Sequence, residues 1–127
     1  MLSAAGHSGH LVSVGGFVMI DWERIRELRS EIGADDFAEV AALFLDEADG
    51  AVARLSPTAS AKAMEADLHF LKGAALNLGF DALSALCQDG ERRAAAGDTG
   101  TDLAAVRAAY FASKAAFLAG MGQVFAA

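Results

Sequence analysis

The chemistry available to this chain is concentrated in one stretch, where His69, Lys72, Gly73 and Leu76 follow one another at helical spacing. On a helix turning 100° per residue, Met64, Leu68, Leu71, Ala75 and Leu78 fall within about 40° of one axis. His69 falls about 140° from that axis, so its imidazole belongs on the outward face. Lys72, Gly73 and Leu76, at i+3, i+4 and i+7, surround it, and Lys62 lies two turns earlier on the same side. A free imidazole titrates near pH ~6.5 and is mostly neutral at physiological pH, which makes it a competent nucleophile. Beside two cations and a bare glycine backbone, it marks a place where an anion and a partner protein can come close. Geometry alone equally accommodates a solvated face with an incidental histidine, because polar residues are ordinary there.

Four further segments must position that stretch. Residues 1–18 carry Gly6, Gly9, Gly15 and Gly16 together with His7 and His10, and read as a flexible leader; Met19, directly before the first helical signal, reads as an alternative start. Two histidines without a nearby Cys, Asp or Glu do not make a metal site, so no metal is expected. Asp21 caps a short first helix, with Ile20 and Ile25 as a hydrophobic staple, an apolar side of Trp22, Ile25 and Leu28, and a stop at Gly33. Asp36 and Glu39 form a capping box ahead of a long helix with the stripe Phe37, Val40, Phe44, Ala48, Ala51 or Val52, and Leu55. Ser56-Pro57-Thr58 ends it, and Thr58 or Ser60 caps the central helix, which Gly79 closes.

The next helix buries Leu83, Leu86, Cys87, Gly90 and Ala94, placing Glu91 at the edge of the stripe and Cys87 in it as a buried structural thiol. After Gly97-Asp98-Thr99-Gly100, Thr101 caps a last helix. Its Leu103, Val106, Tyr110, Ser113, Phe117, Gly120 and Val124 recur at heptad spacing, broadened by Phe111, Leu118 and Met121. Short connections make neighbours antiparallel. The expected architecture over 19–127 is an all-α, up-down-up-down four-helix bundle with a short extra N-terminal helix and no competing strand pattern.

With 127 residues the chain fits one domain with a real core, and 54% hydrophobic residues with a single proline favour long helices. A net charge of −7 argues against nucleic acid or an anionic membrane surface as partner. One cysteine allows no intramolecular disulfide and fits a reducing compartment. No apolar run approaches the ~20 residues that span a bilayer, and no Lys or Arg precedes Arg24, so the expected address is the cytoplasm.

The run His69-Phe70-Leu71-Lys72-Gly73-Ala74-Ala75, followed by Leu78-Gly79, resembles the signature of histidine-containing phosphotransfer (HPt) domains, and the similarity continues through Leu83, Leu86, Cys87 and Glu91. The resemblance implies a four-helix bundle whose exposed histidine carries a phosphoryl group between aspartates of receiver domains, in response regulators or hybrid histidine kinases. It implies no cofactor of its own, Mg²⁺ being brought by the receiver, and a monomeric state. In this frame His69 attacks through Nε2, Lys72 steadies the phosphoryl oxygens as a mobile charge, and Lys62 contributes at longer range. Gly73 leaves a dent for the receiver's loops and Leu76 joins the docking patch. Glu91 accepts from Nδ1–H and so fixes the tautomer; its alternative is a surface salt bridge with Arg92, Arg93 or a lysine.

Three residues depart from the family pattern. Leu68 replaces a common alanine, Gly90 stands where a larger apolar residue is usual, and Ala95 offers no basic side chain, leaving Arg92 or Arg93 to substitute. No autonomous kinase activity is expected, because the sequence shows no glycine-rich nucleotide loop and, as an all-helical chain, no room for an ATP-binding domain. The alternative function is a non-catalytic helical bundle that binds partners without phosphotransfer.

Overall fold

The computed structural model describes residues 11–14 and 18–124. In chain order these form a hairpin of β1 (Leu11–Val14) and β2 (Val18–Asp21), then α1 (Trp22–Ile32), α2 (Ala34–Arg54), α3 (Ala61–Asn77), α4 (Asp81–Ala95) and α5 (Leu103–Val124). α2 to α5 make the bundle: α3 packs on α2 and α4, α5 packs on α4 and α2, and α1 lies against α2 and α3. The strands pair antiparallel, Leu11 opposite Asp21 and Val14 opposite Val18. The hairpin departs from the expectation of helices alone, and its second strand continues straight into α1. The leader reading of residues 1–18 otherwise falls outside the described residues, as do His7 and His10.

Asp21 caps α1, accepting from the Arg24 amide at 3.1 Å. Its own N–H donates to the Gly79 carbonyl at 2.8 Å, and Ile20 bridges to Phe80. The entry to α1 is therefore fastened to the α3–α4 turn. Gly79 turns there at φ +69°, and a Cβ on it would lie 2.7 Å from the Asp21 carbonyl oxygen, so only glycine fits.

Two helix starts differ from the sequence reading. α2 begins at Ala34, directly after Gly33 at φ +104°; Asp35 and Asp36 sit in its first turn, where their charge complements the helix dipole. Asp102, not Thr101, caps α5, accepting from Ala105 N–H at 3.0 Å. α3 starts at Ser60, whose hydroxyl accepts from Ala63 N–H.

The core follows the expected stripes in α3 and α4, with Met64, Leu68, Leu71, Ala75, Leu78, Leu83 and Cys87 buried. Burial pushes the Cys87 thiol up to about 12, so it stays protonated and inert. In α2 the phase differs: Ala41 and Leu45 are buried, whereas Val40 and Phe44 are only half-buried. At the hairpin end, Phe80 packs edge-on to Phe117, Trp22 stacks parallel to Phe117, and Gly120 leaves room for the indole, since a Cβ there would overlap it.

One polar clamp ties α2 to α5. The fully buried Tyr110 donates from its hydroxyl to Asp49 and lies 3.1 Å from the Leu45 carbonyl, while Lys114 approaches both Asp49 oxygens at 3.0 and 2.9 Å. Burial opposes ionisation of Asp49, but the hydrogen bonds from Tyr110 and Lys114 outweigh it and hold the carboxyl below the usual range. Tyr110→Phe should therefore destabilise the fold by about 1.5–3 kcal/mol, the value of a hydrogen bond to a charged acceptor. Urea denaturation of the two proteins checks this, and coincident midpoints would deny the clamp any part in stability.

Candidate functional site

The α3–α4 pair is the most extensive helix pairing in the molecule, and it brings together residues 22 apart in sequence. His69 projects from α3 with 68% of its side chain exposed, and its Nδ1 lies 2.8 Å from Oε2 of Glu91 on α4, a side chain only 19% exposed. Hydrogen bonds and charge from Lys72 act first to hold the Glu91 carboxyl below its ordinary range; burial opposes this and the contact with His69 adds to it. An ionised carboxylate only accepts, so Nδ1 carries the proton and the Nε2 lone pair is left facing solvent.

Lys72 is placed differently from the mobile cation expected. Its Nζ is 2.7 Å from Glu91 Oε1 and 2.9 Å from Gln88 Oε1, and its side chain is only 19% exposed. One carboxylate thus holds the imidazole with one oxygen and the ammonium with the other. Gln88, one turn before Glu91, completes the cradle; it does not figure in the sequence reading, since a single exposed glutamine carries no motif. Arg92 and Arg93 turn elsewhere, both pairing with Asp89 and Arg93 also with Asp98. Neither stands in for the basic side chain missing at Ala95.

On the other side of His69 the surface is hollow. Gly73 is exposed, and a Cβ built on it would meet nothing within 4 Å. A shallow depression between α2 and α3 is lined by Phe44, Glu47, Phe70, Gly73, Ala74 and Asn77 as well as His69. Phe44 and Phe70 are the members the sequence reading missed: Phe44 was counted in the core, and Phe70 is 45% exposed with the Arg54 guanidinium 5.5 Å above its ring. Leu76 is 52% exposed, one turn beyond Gly73. Lys62 is exposed about 10 Å along the helix axis from His69, two turns away. Among the described residues no group of His, Cys, Asp or Glu is arranged to hold a metal ion.

The spacing between α3 and α4 is set one residue before the functional pair. Gly90 precedes Glu91 and Leu68 precedes His69, and a Cβ on Gly90 would lie 2.8 Å from Leu68 Cδ1 and 3.0 Å from Thr101 Cγ2. The two departures noted in the sequence are therefore one feature: the larger residue on α3 occupies the space left by the smaller one on α4. With Leu68 fully buried there is little room for it to retreat. The flexibility that a mid-helix glycine brings is countered by packing on two sides, and the aim of Glu91 is fixed.

A family model described as the Hpt domain matches residues 34–116, a span that holds every candidate residue named above. The match begins at α2 and leaves the hairpin and α1 outside it. Comparison with curated proteins and with solved structures gives no match.

Gly90→Ala should be destabilising on balance, because overpacking costs about 1–3 kcal/mol against about 1 kcal/mol of helix propensity gained. Leu68→Ala alone should cost about 2–5 kcal/mol through the cavity it leaves. The double variant should lose less than the sum by about 1 kcal/mol, read by a double-mutant cycle in urea; strict additivity would mean that the two side chains do not share this space. Because Glu91 is held below its ordinary range when folded, its pairing stabilises fully above the unfolded carboxylate range and is lost as pH falls through the depressed folded value. The stability difference between the wild type and Glu91→Gln should accordingly shrink on acidification across that window.

Proposed function

The chain belongs to the Hpt-domain family, whose members act as phosphotransfer carriers in phosphorelays, and we propose that it takes a phosphoryl group onto His69 from a receiver-domain aspartate and passes it to another. The observation that carries this reading is an imidazole with Nδ1 engaged by a carboxylate at 2.8 Å and the rest of the ring in solvent.

In the forward step the Nε2 lone pair forms a bond to phosphorus as the bond to the aspartyl oxygen breaks, and the carboxylate leaves with that electron pair. The Nδ1 proton stays where it is, hydrogen-bonded to Glu91, so the product is an N-phosphoimidazolium whose positive charge faces a carboxylate. Return to a second aspartate is the same step reversed. The transition state spreads charge over three equatorial oxygens in line between nucleophile and leaving group. Mg²⁺ and the acidic pocket that holds it belong to the receiver. This chain contributes position and local charge. Glu91 fixes the tautomer, Lys72 places a cation one turn from the imidazole, and Gly73 leaves the approach to the ring unobstructed. Lys62 and Leu76 lie on the same outward side, where a docked receiver would reach them.

Incubation with a phosphorylated receiver should transfer label to the wild type, acid-labile and alkali-stable as expected of phosphohistidine. No label should appear with ATP alone. His69→Gln should abolish labelling while retaining receiver binding, and Glu91→Ala should slow it by roughly tenfold or more, the rate equivalent of losing the hydrogen bond that orients the ring. If His69→Gln is labelled as well as the wild type, the carrier role is wrong.

A further inference from the structure

α5 is unlike the other bundle helices. On α2 the exposed positions include Asp35, Asp36, Glu39, Asp46 and Glu47, and on α4 Gln88, Arg92 and Arg93. On α5 every exposed position among the described side chains beyond the cap is apolar: Ala104, Ala108, Phe111, Ala115, Leu118 and Gly122, with Ala119 beside them. Phe111 is 55% and Leu118 50% exposed, so this is more than a run of small residues. The six recur at alternating four- and three-residue steps, a seam on the side of the helix away from buried Val106 and Phe117; on its α2 side Phe111 lies edge-on to Tyr110, ring centroids 5.2 Å apart, and Leu118 and Gly122 border a groove with Phe37 and Ala38. The two cations of the helix are turned aside toward α2, Arg107 donating to the Leu55 carbonyl and Lys114 to Asp49. A helix apolar on all sides is normally a buried helix.

We propose that this seam pairs with the same seam of a second copy, antiparallel, across a two-fold axis at the level of Ser113. The register argues for this occupant. About that axis Phe111 lies opposite Ala115 of the second copy, Leu118 opposite Ala108, and Ala104 opposite Gly122, so each large side chain meets a small one. Such self-complementarity is what a two-fold interface requires. A parallel pair would stack Phe111 on Phe111 and leave the Ala108 and Ala115 layers empty. For a protein of net charge −7, an uncharged seam is also the surface on which two copies meet with least repulsion. That charge, and the absence of any free Lys or Arg along the seam, disfavours an anionic lipid surface as the occupant.

The seam runs the 22 residues of α5, about 33 Å. One helix face covers less than the ~800 Å² per partner of a standard stable interface, so the dimer forms and dissociates with concentration. α3 stands at the opposite corner of the bundle from α5, and the pairing leaves both His69 faces open. On this proposal, which departs from the monomer the resemblance implies, the carrier has two outward sites, suited to partners that are themselves dimeric.

Sedimentation equilibrium on the full chain, from a few micromolar to several hundred, should show a monomer–dimer equilibrium. Leu118→Glu and Ala115→Glu should each weaken it at least tenfold, and Ala115→Glu, at an exposed position of the monomer, should do so with unchanged thermal unfolding. Under oxidation, Ala108→Cys mixed with Leu118→Cys should give the mixed disulfide dimer. Each variant alone should give little, because the two-fold separates like positions by about 15 Å, and the buried Cys87 should not interfere. A wild type that stays monomeric throughout overturns the proposal. So does crosslinking of either variant by itself, which means a parallel pair. A monomer whose residues 1–10 change their amide signals in Leu118→Glu overturns it as well, because the chain then covers its own seam.

Discussion

The close approach of α3 to α4 at Gly90 is the constraint on which the site depends. Helix axes sit apart by the size of the side chains between them, and here one side of the contact has none. Leu68 fills that space, and one residue further along both helices the distance becomes the 2.8 Å between His69 Nδ1 and Glu91 Oε2. A methyl group added at Gly90 would have to be absorbed by Leu68, by Thr101 or by the helix spacing itself. Leu68 is enclosed and Thr101 only half-buried, so what Thr101 cannot absorb falls on the spacing, and a hydrogen bond tolerates only a few tenths of an ångström before it weakens. Packing in the core thus sets geometry on the surface.

Glu91 is the electrostatic counterpart of that fit. Most surface ion pairs contribute little because water competes for both partners. This one is largely covered, and the carboxylate divides its two oxygens between an exposed imidazole and a mostly covered ammonium, with Gln88 holding the ammonium from the other side. The arrangement orients the ring without enclosing it. It also keeps a cation beside the imidazole in a protein whose overall charge is strongly negative. In the proposed transfer, an approaching phosphoryl group would meet Lys72 already in place instead of recruiting it from solvent, which would lower the reorganisation demanded.

Much of this was readable in the sequence where polar and apolar positions separate cleanly at the helical period. In α3 the buried stripe from Met64 to Leu78 left only one side for His69, and in α4 the stripe through Leu83 and Cys87 put Glu91 at its edge. The reading failed where a second signal competed. In α2, weighting by bulk favoured Val40 and Phe44, but the packed face takes Ala41 and Leu45, and Phe44 is left to line the depression beside His69. At Gly33 a positive φ reverses the chain within one residue, so Asp36, which looked like the cap, lies in the first turn beside Asp35, and Glu39 follows inside the helix. The hairpin was overlooked because Gly15-Gly16 reads as flexible; yet Leu-Val-Ser-Val before it and Val-Met-Ile-Asp after it form the β-prone flanks of a turn signal.

α5 shows the remaining ambiguity in its strongest form. Periodicity identifies a buried face by contrast with a polar one, and α5 offers almost no contrast. Phe111 and Leu118 therefore seemed to widen the core stripe, although both are about half exposed, Phe111 lying edge-on to Tyr110 and Leu118 at the rim of a groove with Phe37 and Ala38. Only the clamp at Asp49 and the indole seated over Gly120 decide which side turns inward. Once that is fixed, the outward side stands apart from the rest of the bundle: Phe111 covers one edge of Tyr110 and still leaves about half of itself in water, and every other bundle helix carries charge on its exposed face. The cost of that surface in water has to be offset somewhere, and a second identical seam is the partner whose large and small residues already fall in register with it.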